Sequence, residues 1–399
     1  MICEISKDVF WVGAVDWSVR HFHGHTFNTG SGTTYNAYLI LGEKITLIDT
    51  VFGPFAAELL EQISGIVPPE KIDYIIANHV ETDHSGALPE IMRAAPRAKL
   101  FGTAKCREGL YRHYYASWPF QTVKTGDKLS LGGNKAVTFI EAPMLHWPDS
   151  MFTYLDDGQV LFSNDAFGQH LAHSKRFADE IESGILMREA AKYYANILWP
   201  LSRLVIGKIA ELRKSGLPVS LIAPSHGMIW RKDPGVIVEN YARWAQNRPA
   251  AKAVLVYETM WGGTEKMAGA IYSGLLDAGV ETAMFDINRA DHSEIIGQML
   301  EAGGYLFGSP THDNGMLPNL AGFIHLLKGL RPQNRLAAVF GSFGWAGGAV
   351  KEIEKILSES GLALTCEGIS AQYSPDPRDL EACRNFGREF GRKLIGAYK

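Results

Sequence analysis

The segment "ANHVETDHSGALP", residues 77–89, places His79, Glu81, Asp83 and His84 within six positions. Two imidazoles and two carboxylates at that spacing have the chemistry of metal ligands. The segment follows the apolar run "KIDYIIA" and precedes the helix-like "GALPEIMRAA", so it sits at the end of a buried strand. Ends of strands converge on one rim of a sheet, where residues distant in sequence meet. Three further strand ends add donors: His146 in "EAPMLHWPDS", Asp165 in "VLFSNDAFG" and His226 in "LIAPSHG". The seven residues are four imidazoles and three carboxylates. That is too many donors for one ion. It suits two ions about 3.5–4 Å apart that share a carboxylate. Without metal, such a cluster would bury uncompensated carboxylates at high cost.

The elements that must position these residues show two patterns. Before residue 250, short apolar strands alternate with helix-like stretches without a simple repeat. "TTYNAYLILGEKITLIDT" reads as two strands joined at Gly42-Glu43-Lys44, and "KIDYIIANH", "AKLFGTA", "KAVTFIEAP", "QVLFSND" and "VSLIAPSHG" as further strands. "PFAAELLEQISG" and "GVIVENYARWAQN" read as helices covering the outer faces of sheets. "QNRPAAK", residues 246–252, is the linker, because Pro249 breaks the preceding helix. The expected domains are therefore 1–249 and 250–399. In the second, the strands "AVLVY", "TAMFDI", "GGYLFGSP", "LAAVFGS" and "LTCEGISA" alternate with helices, and the last helix covers "PRDLEACRNFGREFGRKLIG". That alternation predicts a doubly wound parallel sheet, and an α/β fold class overall.

A chain of 399 residues is too long for one core, so two domains agree with its length. A net charge of -4 argues against a nucleic-acid binder. No apolar run reaches the roughly 18–20 residues of a membrane span, and "MICEISKDVFWVG" lacks the pattern of a secretory signal. The expected location is cytoplasmic. The four cysteines, Cys3, Cys106, Cys366 and Cys383, form no C-x-x-C, so no rubredoxin-like iron site is expected on this chain.

A second site is legible after the first strand of the second half. "YETMWGGTEKM" places Thr259, Met260, Trp261, Gly262, Gly263 and Thr264 between a strand and a helix. Backbone N–H groups at a helix start, with hydroxyls, cradle a phosphate. Lys266 reads as a helix-surface residue. A G-x-G-x-x-G is absent, which disfavours a dinucleotide. In one of the two common orders of a doubly wound sheet, the first, third and fourth strands meet at the switch point where ligands bind. The loops there are "FGSPTHDNG" and "FGSFGWAGG".

The motif H-x-E-x-D-H, with "MLHWPDSM", "NDAFGQH", "PSHG" and the second half, resembles the flavodiiron proteins. The resemblance spans essentially the whole chain. It implies a metallo-β-lactamase-like αββα sandwich followed by a flavodoxin-like domain. Hydrolases of the first fold carry H-x-H-x-D-H for zinc; here Glu81 replaces the second His. A carboxylate is harder than imidazole, and mixed N/O ligation suits redox iron. By the family pattern His79, Glu81 and His146 hold one iron, Asp83, His84 and His226 the other, and Asp165 bridges. His84 adjoins Asp83, so its ligation requires a tight turn, which Ser85 and Gly86 permit. His23 is the pocket-lining candidate of "RHFHGHTF", where His21, His23 and His25 alternate. Tyr193 or Tyr194 could bring a phenol near the iron pair. His170 and His173 read as structural, although His170 could support the site.

Flavodoxins carry T-x-T-G-x-T in the first loop. This chain has Trp261 at the third position and keeps Gly262 and Thr264, so the phosphate of FMN leans on backbone donors. Ser309, Pro310, Thr311, His312, Asp313 and Asn314 are expected at the ring edge. Gly341, Ser342, Phe343, Gly344 and Trp345 are expected to form the other wall. The resemblance implies reduction of O2 to water or of NO to N2O, with two electrons on the irons and two on FMN. It also implies a head-to-tail homodimer or dimer of dimers. The chain ends at Lys399 without a donor domain, so an external electron donor is expected, rubredoxin or reduced deazaflavin. Two other classes fit parts of the pattern: a zinc-dependent hydrolase fused to a flavodoxin-like module, and an electron carrier with a structural metal.

Overall fold

The computed structural model describes residues 2–398. The chain divides into two compact units. The first runs through His21 and resumes over Thr29–Tyr193 and Arg203–Ala242. The second takes Phe22–Asn28, Tyr194–Ser202 and the chain from Arg243 onward.

Two large sheets form the first unit, beside a two-stranded pairing of Ala14–Asp16 with Thr33–Tyr35. Strands β1 (Cys3–Ser6), β2 (Val9–Trp11), β3 (Tyr38–Ile40), β4 (Ile45–Ile48), β5 (Ile72–Ile76), β6 (Lys99–Gly102) and β7 (Phe120–Thr122) lie in that spatial order. The first four are antiparallel neighbours, and β4 to β7 run parallel. The second sheet orders β8 (Lys128–Gly132), β9 (Lys135–Glu141), β10 (Met151–Leu155), β11 (Val160–Asn164) and β12 (Leu221–Pro224). Only its last pair is parallel. Successive side chains alternate between faces of a strand. One set from each sheet forms a shared core: Trp11, Tyr38, Ile48, Ile76 and Phe101 meet Leu131, Phe139, Met151, Phe162 and Ala223. The rings of Tyr38 and Phe162 lie 5.1 Å apart across it.

Helices α1 (Ala56–Ser64), α2 (Thr82–Ser85), α3 (Leu88–Ala94) and α4 (Ala104–Tyr114) interleave with the parallel strands of the first sheet. α1 buries Leu59 and Ile63, α3 buries Leu88 and Ile91, and α4 buries Cys106 and Leu110. Later come α5 (Ser183–Tyr193), α6 (Ser202–Ser215) and α7 (Gly235–Ala245). A groove between α6 and α7 is floored by Tyr154, Leu161 and Ile222, which places both helices on the outer face of the second sheet. The unit is the expected αββα sandwich.

The second unit is a parallel sheet of β13 (Ala250–Tyr257), β14 (Glu281–Asp286), β15 (Ala302–Gly308), β16 (Leu336–Phe343), β17 (Ala363–Leu364) and β18 (Ile369–Gln372). The order is β14-β13-β15-β16, with β17 and β18 both pairing with β16. Helices α8 (Gly263–Asp277), α9 (His292–Met299), α10 (Pro318–Leu330), α11 (Ala349–Glu359) and α12 (Pro377–Tyr398) alternate with the strands. This is the expected doubly wound sheet, with its first, third and fourth strands adjacent.

Several features depart from the sequence reading, and the short strands β1, β2, β7 and β8 were not anticipated. The expected last strand "LTCEGISA" is split between β17 and β18. Glu354 accepts the Gly368 N–H at 2.7 Å, so that group bonds a side chain and not the ladder. Strand β10, central in its sheet, was not anticipated, although all five of its residues are buried. Phe22–Asn28 and Tyr194–Ser202 cluster with the second unit because their polar groups find partners there. The Asn28 N–H donates to Ser293 Oγ at 2.7 Å, and Trp199 Nε1 donates to Asn247 Oδ1 at 2.7 Å.

Helices α8 and α12 pack backbone against backbone at two glycines. A Cβ on Gly274 would lie 2.0 Å from Arg384 O, and one on Gly387 would lie 2.1 Å from Ile271 O. Gly274→Ala is therefore expected to destabilise the second unit by about 1–3 kcal/mol through overpacking. Gly269→Ala, in the same helix with open space around it, is expected to stabilise it by up to about 1 kcal/mol. Denaturant unfolding of the two variants measures the difference.

Candidate metal centre and flavin site

Each sequence-derived metal candidate follows a strand at one rim of the sandwich. β5 leads to His79–His84, β9 to His146, β11 to Asp165 and β12 to His226. The Met151 N–H donates to Asn78 O at 3.0 Å and ties the loops of the two sheets together. The seven side chains converge as two groups, His79, Glu81, His146 and Asp165, and Asp83, His84 and His226. The donor atoms of each group lie within 4.8 Å of one another.

Asp165 faces both groups with different oxygens. Its Oδ2 lies 3.7 Å from His79 Nε2 and 3.4 Å from His146 Nε2. Its Oδ1 lies 3.1 Å from His84 Nε2 and 3.6 Å from His226 Nε2. Glu81 Oε2 is 3.3 Å from the Nε2 atoms of both His79 and His146. Asp83 places Oδ1 3.4 Å from His84 Nε2 and Oδ2 3.1 Å from His226 Nε2. All four imidazoles present Nε2 inward.

Asp83 and His84 both reach the cluster because they sit on the single turn α2. Neighbouring residues on a helical turn diverge by about 100°. The turn is fixed by Thr50 Oγ1, which donates to His84 O at 2.6 Å, and by Ser85 Oγ, which donates to Val80 O at 2.7 Å. Gly86 passes so near Gly53 that a Cβ would lie 2.5 Å from its nitrogen.

Residues behind the donors orient them. His79 Nδ1–H donates to Asp149 Oδ2 at 3.0 Å, which leaves Nε2 as its inward lone pair. The same Oδ2 accepts the Val80 N–H at 2.8 Å. His226 Nδ1–H donates to Thr34 O at 2.7 Å, and Thr34 Oγ1 accepts the Gly227 N–H at 2.6 Å. The Trp147 ring stands edge-on to His79, 5.1 Å away. The sequence reading missed Asp149, Thr34 and Trp147. Asp149 lies within the quoted motif "MLHWPDSM", three residues after His146, and that was its signal.

The charges of the metal-free cluster support one another. Burial alone would lower the imidazole pKa values. Hydrogen bonds to Asp149 and Glu81 push His79 up to about 10, and bonds to Asp165 and Glu81 push His146 up to about 10. The carboxylates of Asp83 and Asp165 raise His84 to about 9. Burial works against ionisation of Asp165, yet His84 and His146 hold it well below the usual carboxylate range. Hydrogen bonding is still incomplete: Asp83 Oδ1, Asp165 Oδ2 and both ring nitrogens of His84 are buried without a well-formed partner. Buried polar atoms are normally satisfied. Inward lone pairs from four imidazoles and three carboxylates fit a pair of divalent or trivalent cations.

The other candidates fall as follows. Tyr193 is fully buried, and its hydroxyl donates to Asp165 Oδ1 at 3.2 Å. Tyr194 belongs to the second unit and shares a hydrogen bond with Ser202 Oγ at 2.9 Å. His170, read as structural, is buried against the cluster, with its ring 4.8 Å from His226 and 4.9 Å from Tyr193. Its Nδ1 lies 2.8 Å from Thr33 Oγ1. His173 accepts the Lys175 N–H at 2.9 Å. His21, His23 and His25 are exposed, and His23 and His25 belong to the second unit.

In the second unit, the loops after β13, β15 and β16 enclose a cavity of about 630 Å³. Its walls are Met260, Trp261 and Gly263; Pro310, Thr311, His312, Asp313 and Asn314; and Ser342, Phe343, Gly344 and Trp345. Ala346, Tyr373 and Ser374 complete it and were missed; the last two follow β18, the strand hidden by the split. The remaining candidates shape the walls. Thr259 Oγ1 accepts the Gly262 N–H at 3.1 Å, and Gly262 holds a left-handed φ of 81° at the α8 N-cap. Thr264 Oγ1 lies 2.9 Å from Ser342 Oγ. Ser309 Oγ accepts the Leu317 N–H at 3.0 Å, and a Cβ on Gly341 would lie 2.1 Å from Ser309 O. Lys266 reaches out to Ser374 Oγ at 3.1 Å.

By helix geometry the N–H groups of Gly263, Thr264 and Glu265 have no intrahelical acceptor, which suits an anion at the start of α8. Trp261 and Trp345 are each 90% exposed at the cavity mouth, so planar aromatic surfaces flank it. The volume lies within the range of about 300–1,000 Å³ usual for cofactor sites. Phosphate donors at one end and aromatic walls at the other fit a flavin mononucleotide.

An αββα sandwich with a two-group His/carboxylate cluster, followed by a doubly wound sheet with this cavity, defines a metalloflavoprotein oxidoreductase. Residues 33–227 match the family model described as ODP family beta lactamase, and residues 255–387 match that of flavodoxin. The chain is 47% identical to a nitric oxide reductase of Moorella thermoacetica, over 98% of each chain. It is 42% identical to an anaerobic nitric oxide reductase flavorubredoxin of Pectobacterium atrosepticum, over 98% of this chain and 78% of the relative. The solved rubredoxin oxygen:oxidoreductase of Desulfovibrio gigas superposes with a TM-score of 0.97 at 38% identity, covering 100% of this chain and 99% of that one. The flavodiiron protein of Giardia intestinalis gives 0.95 at 34%, covering 100% and 98%. The chain belongs to the flavodiiron protein family, and it is an oxidoreductase.

The position of Asp149 yields a test. Asp149→Ala is expected to weaken one of the two metal equivalents about 10–100-fold and leave the second nearly unchanged. Asp149→Asn, which keeps an acceptor for Val80 N–H, should fall between. Titration against a competing chelator measures both equivalents.

Proposed function

We propose that the chain reduces NO to N2O, O2 to water, or both, at a pair of iron ions that receive electrons through FMN. The observation that carries this reading is Glu81, a carboxylate inside a two-group cluster that shares Asp165. Its cofactors are FMN and two iron ions; when bound, they supply the electron-transfer chemistry that no side chain here provides. His79, Glu81 and His146 would hold one ion, and Asp83, His84 and His226 the other. Asp165 would give one oxygen to each.

The protein's part is positioning and charge. Three carboxylates offset most of the charge of two cations, and Asp149 and Thr34 fix the tautomers of His79 and His226. Glu81, Asp83 and His146 side chains are 17%, 13% and 11% exposed, whereas those of His79, His84, Asp165 and His226 are at most 2% exposed. A small molecule therefore meets the cluster on the side where Glu81, Asp83 and His146 reach the surface. Tyr193 O–H donates to the shared carboxylate and tempers its charge. We assign no catalytic residue beyond the ligands.

The named relatives support both gases: the M. thermoacetica protein carries the name of an NO reductase and the D. gigas protein that of an oxygen reductase. The latter name also supports rubredoxin as the external donor, with reduced deazaflavin as the other candidate. We further propose the functional boundary at 249/250, a head-to-tail homodimer or dimer of dimers, and a cytoplasmic location. Among the described residues, no helix is long and apolar enough to cross a membrane.

Anaerobic stopped-flow mixing tests the reading. The loaded, reduced protein is expected to be reoxidised rapidly by at least one of NO and O2. Asp165→Asn, with FMN retained, should lose that reactivity. Oxidation by neither gas would make the chain an electron carrier, and bound zinc with thioesterase activity would make it a hydrolase.

A further inference from the structure

The wall of the cavity that follows β15 contains a tight turn. The His312 N–H donates to Gly315 O and the Gly315 N–H to His312 O, each at 2.9 Å. Between them Asp313 and Asn314 hold φ angles of 49° and 63°. This is a two-residue turn of type I′, left-handed at both central residues, a conformation that Asp and Asn adopt more readily than other L residues. A neighbouring element sets its place in the wall.

The first turn of α11 does so at three points. Thr311 Oγ1 accepts the N–H groups of Gly348 and Ala349, both at 3.2 Å. Asn314 O rests on Gly348, where a Cβ would lie 2.0 Å away. Glu352 Oε2 accepts the Met316 N–H at 2.8 Å and lies 2.7 Å from where a Gly315 Cβ would be. Ile353 and Leu357 are buried and anchor the helix. Glu352 does not line the cavity, but it holds the chain end of the wall formed by Pro310–Asn314.

We propose that Glu352 is a positioning residue for the flavin: its carboxylate straps the 311–316 hairpin to α11 and sets the wall against which FMN binds. The proposal rests on the flavin reading of this cavity. The same helix carries its own control. Glu354 Oε1 accepts the Gly368 N–H at 2.7 Å and straps the split between β17 and β18, and Glu354 does not line the cavity.

The test uses full-length protein stripped of FMN and titrated with FMN, followed by quenching of flavin fluorescence. Loosening of the wall in Glu352→Ala is expected to raise the FMN Kd about tenfold, which is about 1.4 kcal/mol. Glu352→Gln, whose amide oxygen still accepts the Met316 N–H, is expected to restore it to within about threefold of the parent. Glu354→Ala is expected to stay within about twofold. Thermal unfolding of the FMN-free variants separates strapping from loss of the fold. If Glu352→Ala binds FMN like the parent, or Glu352→Gln fails to rescue, or Glu354→Ala weakens binding equally, the strap is overturned. If the parent itself binds no FMN, the flavin reading falls instead.

Discussion

One buried carboxylate organises the first unit. Asp165 turns Oδ2 to one group of donors and Oδ1 to the other, and it is 1% exposed. Such a group cannot stay ionised in a protein interior without compensation. In the metal-free chain the compensation is four imidazoles, three of them with raised pKa values, and the Tyr193 hydroxyl. With metal, the protons on those imidazoles must leave, because only the deprotonated nitrogen is a ligand. The arrangement therefore exists to be neutralised by cations.

The scaffold follows from that need. Donors must arrive from both sheets, because no single strand end can present seven side chains around one point. β5 brings four, and the second sheet brings three from β9, β11 and β12. The αββα layering lets both rims open at the same edge, while the shared core of Tyr38, Phe139 and Phe162 fixes the spacing between the sheets. The second unit uses a different device. Its cavity lies at the ends of three adjacent parallel strands, and its walls are loops strapped by side chains from neighbouring helices. Rigid elements position both sites; the chemistry sits on the segments between them.

Much of this was legible in the sequence. The seven donors carry their own signal, since imidazoles and carboxylates at strand ends are rare without cause. The doubly wound sheet followed from strand–helix alternation, and its flavodoxin-like order from the resemblance. What was hidden depended on tertiary partners. Asp149 looks like an ordinary turn residue until β9 brings it beneath His79. His170 looked structural because nothing local shows that it lies beside His226. Tyr373 and Ser374 were invisible because the last strand breaks at Gly368, whose N–H is taken by a side chain fourteen residues earlier. The adjacent ligands Asp83 and His84 were awkward on paper, and a single helical turn at residues 82–85 resolves them.

Asp165 is proposed to lie between two iron ions. Anomalous diffraction at the iron and zinc edges, from crystals of protein grown with iron, tests it most directly. The account predicts two iron peaks, one beside each oxygen of Asp165, with little signal at the zinc edge. A single peak, or two peaks present only at the zinc edge, would contradict it.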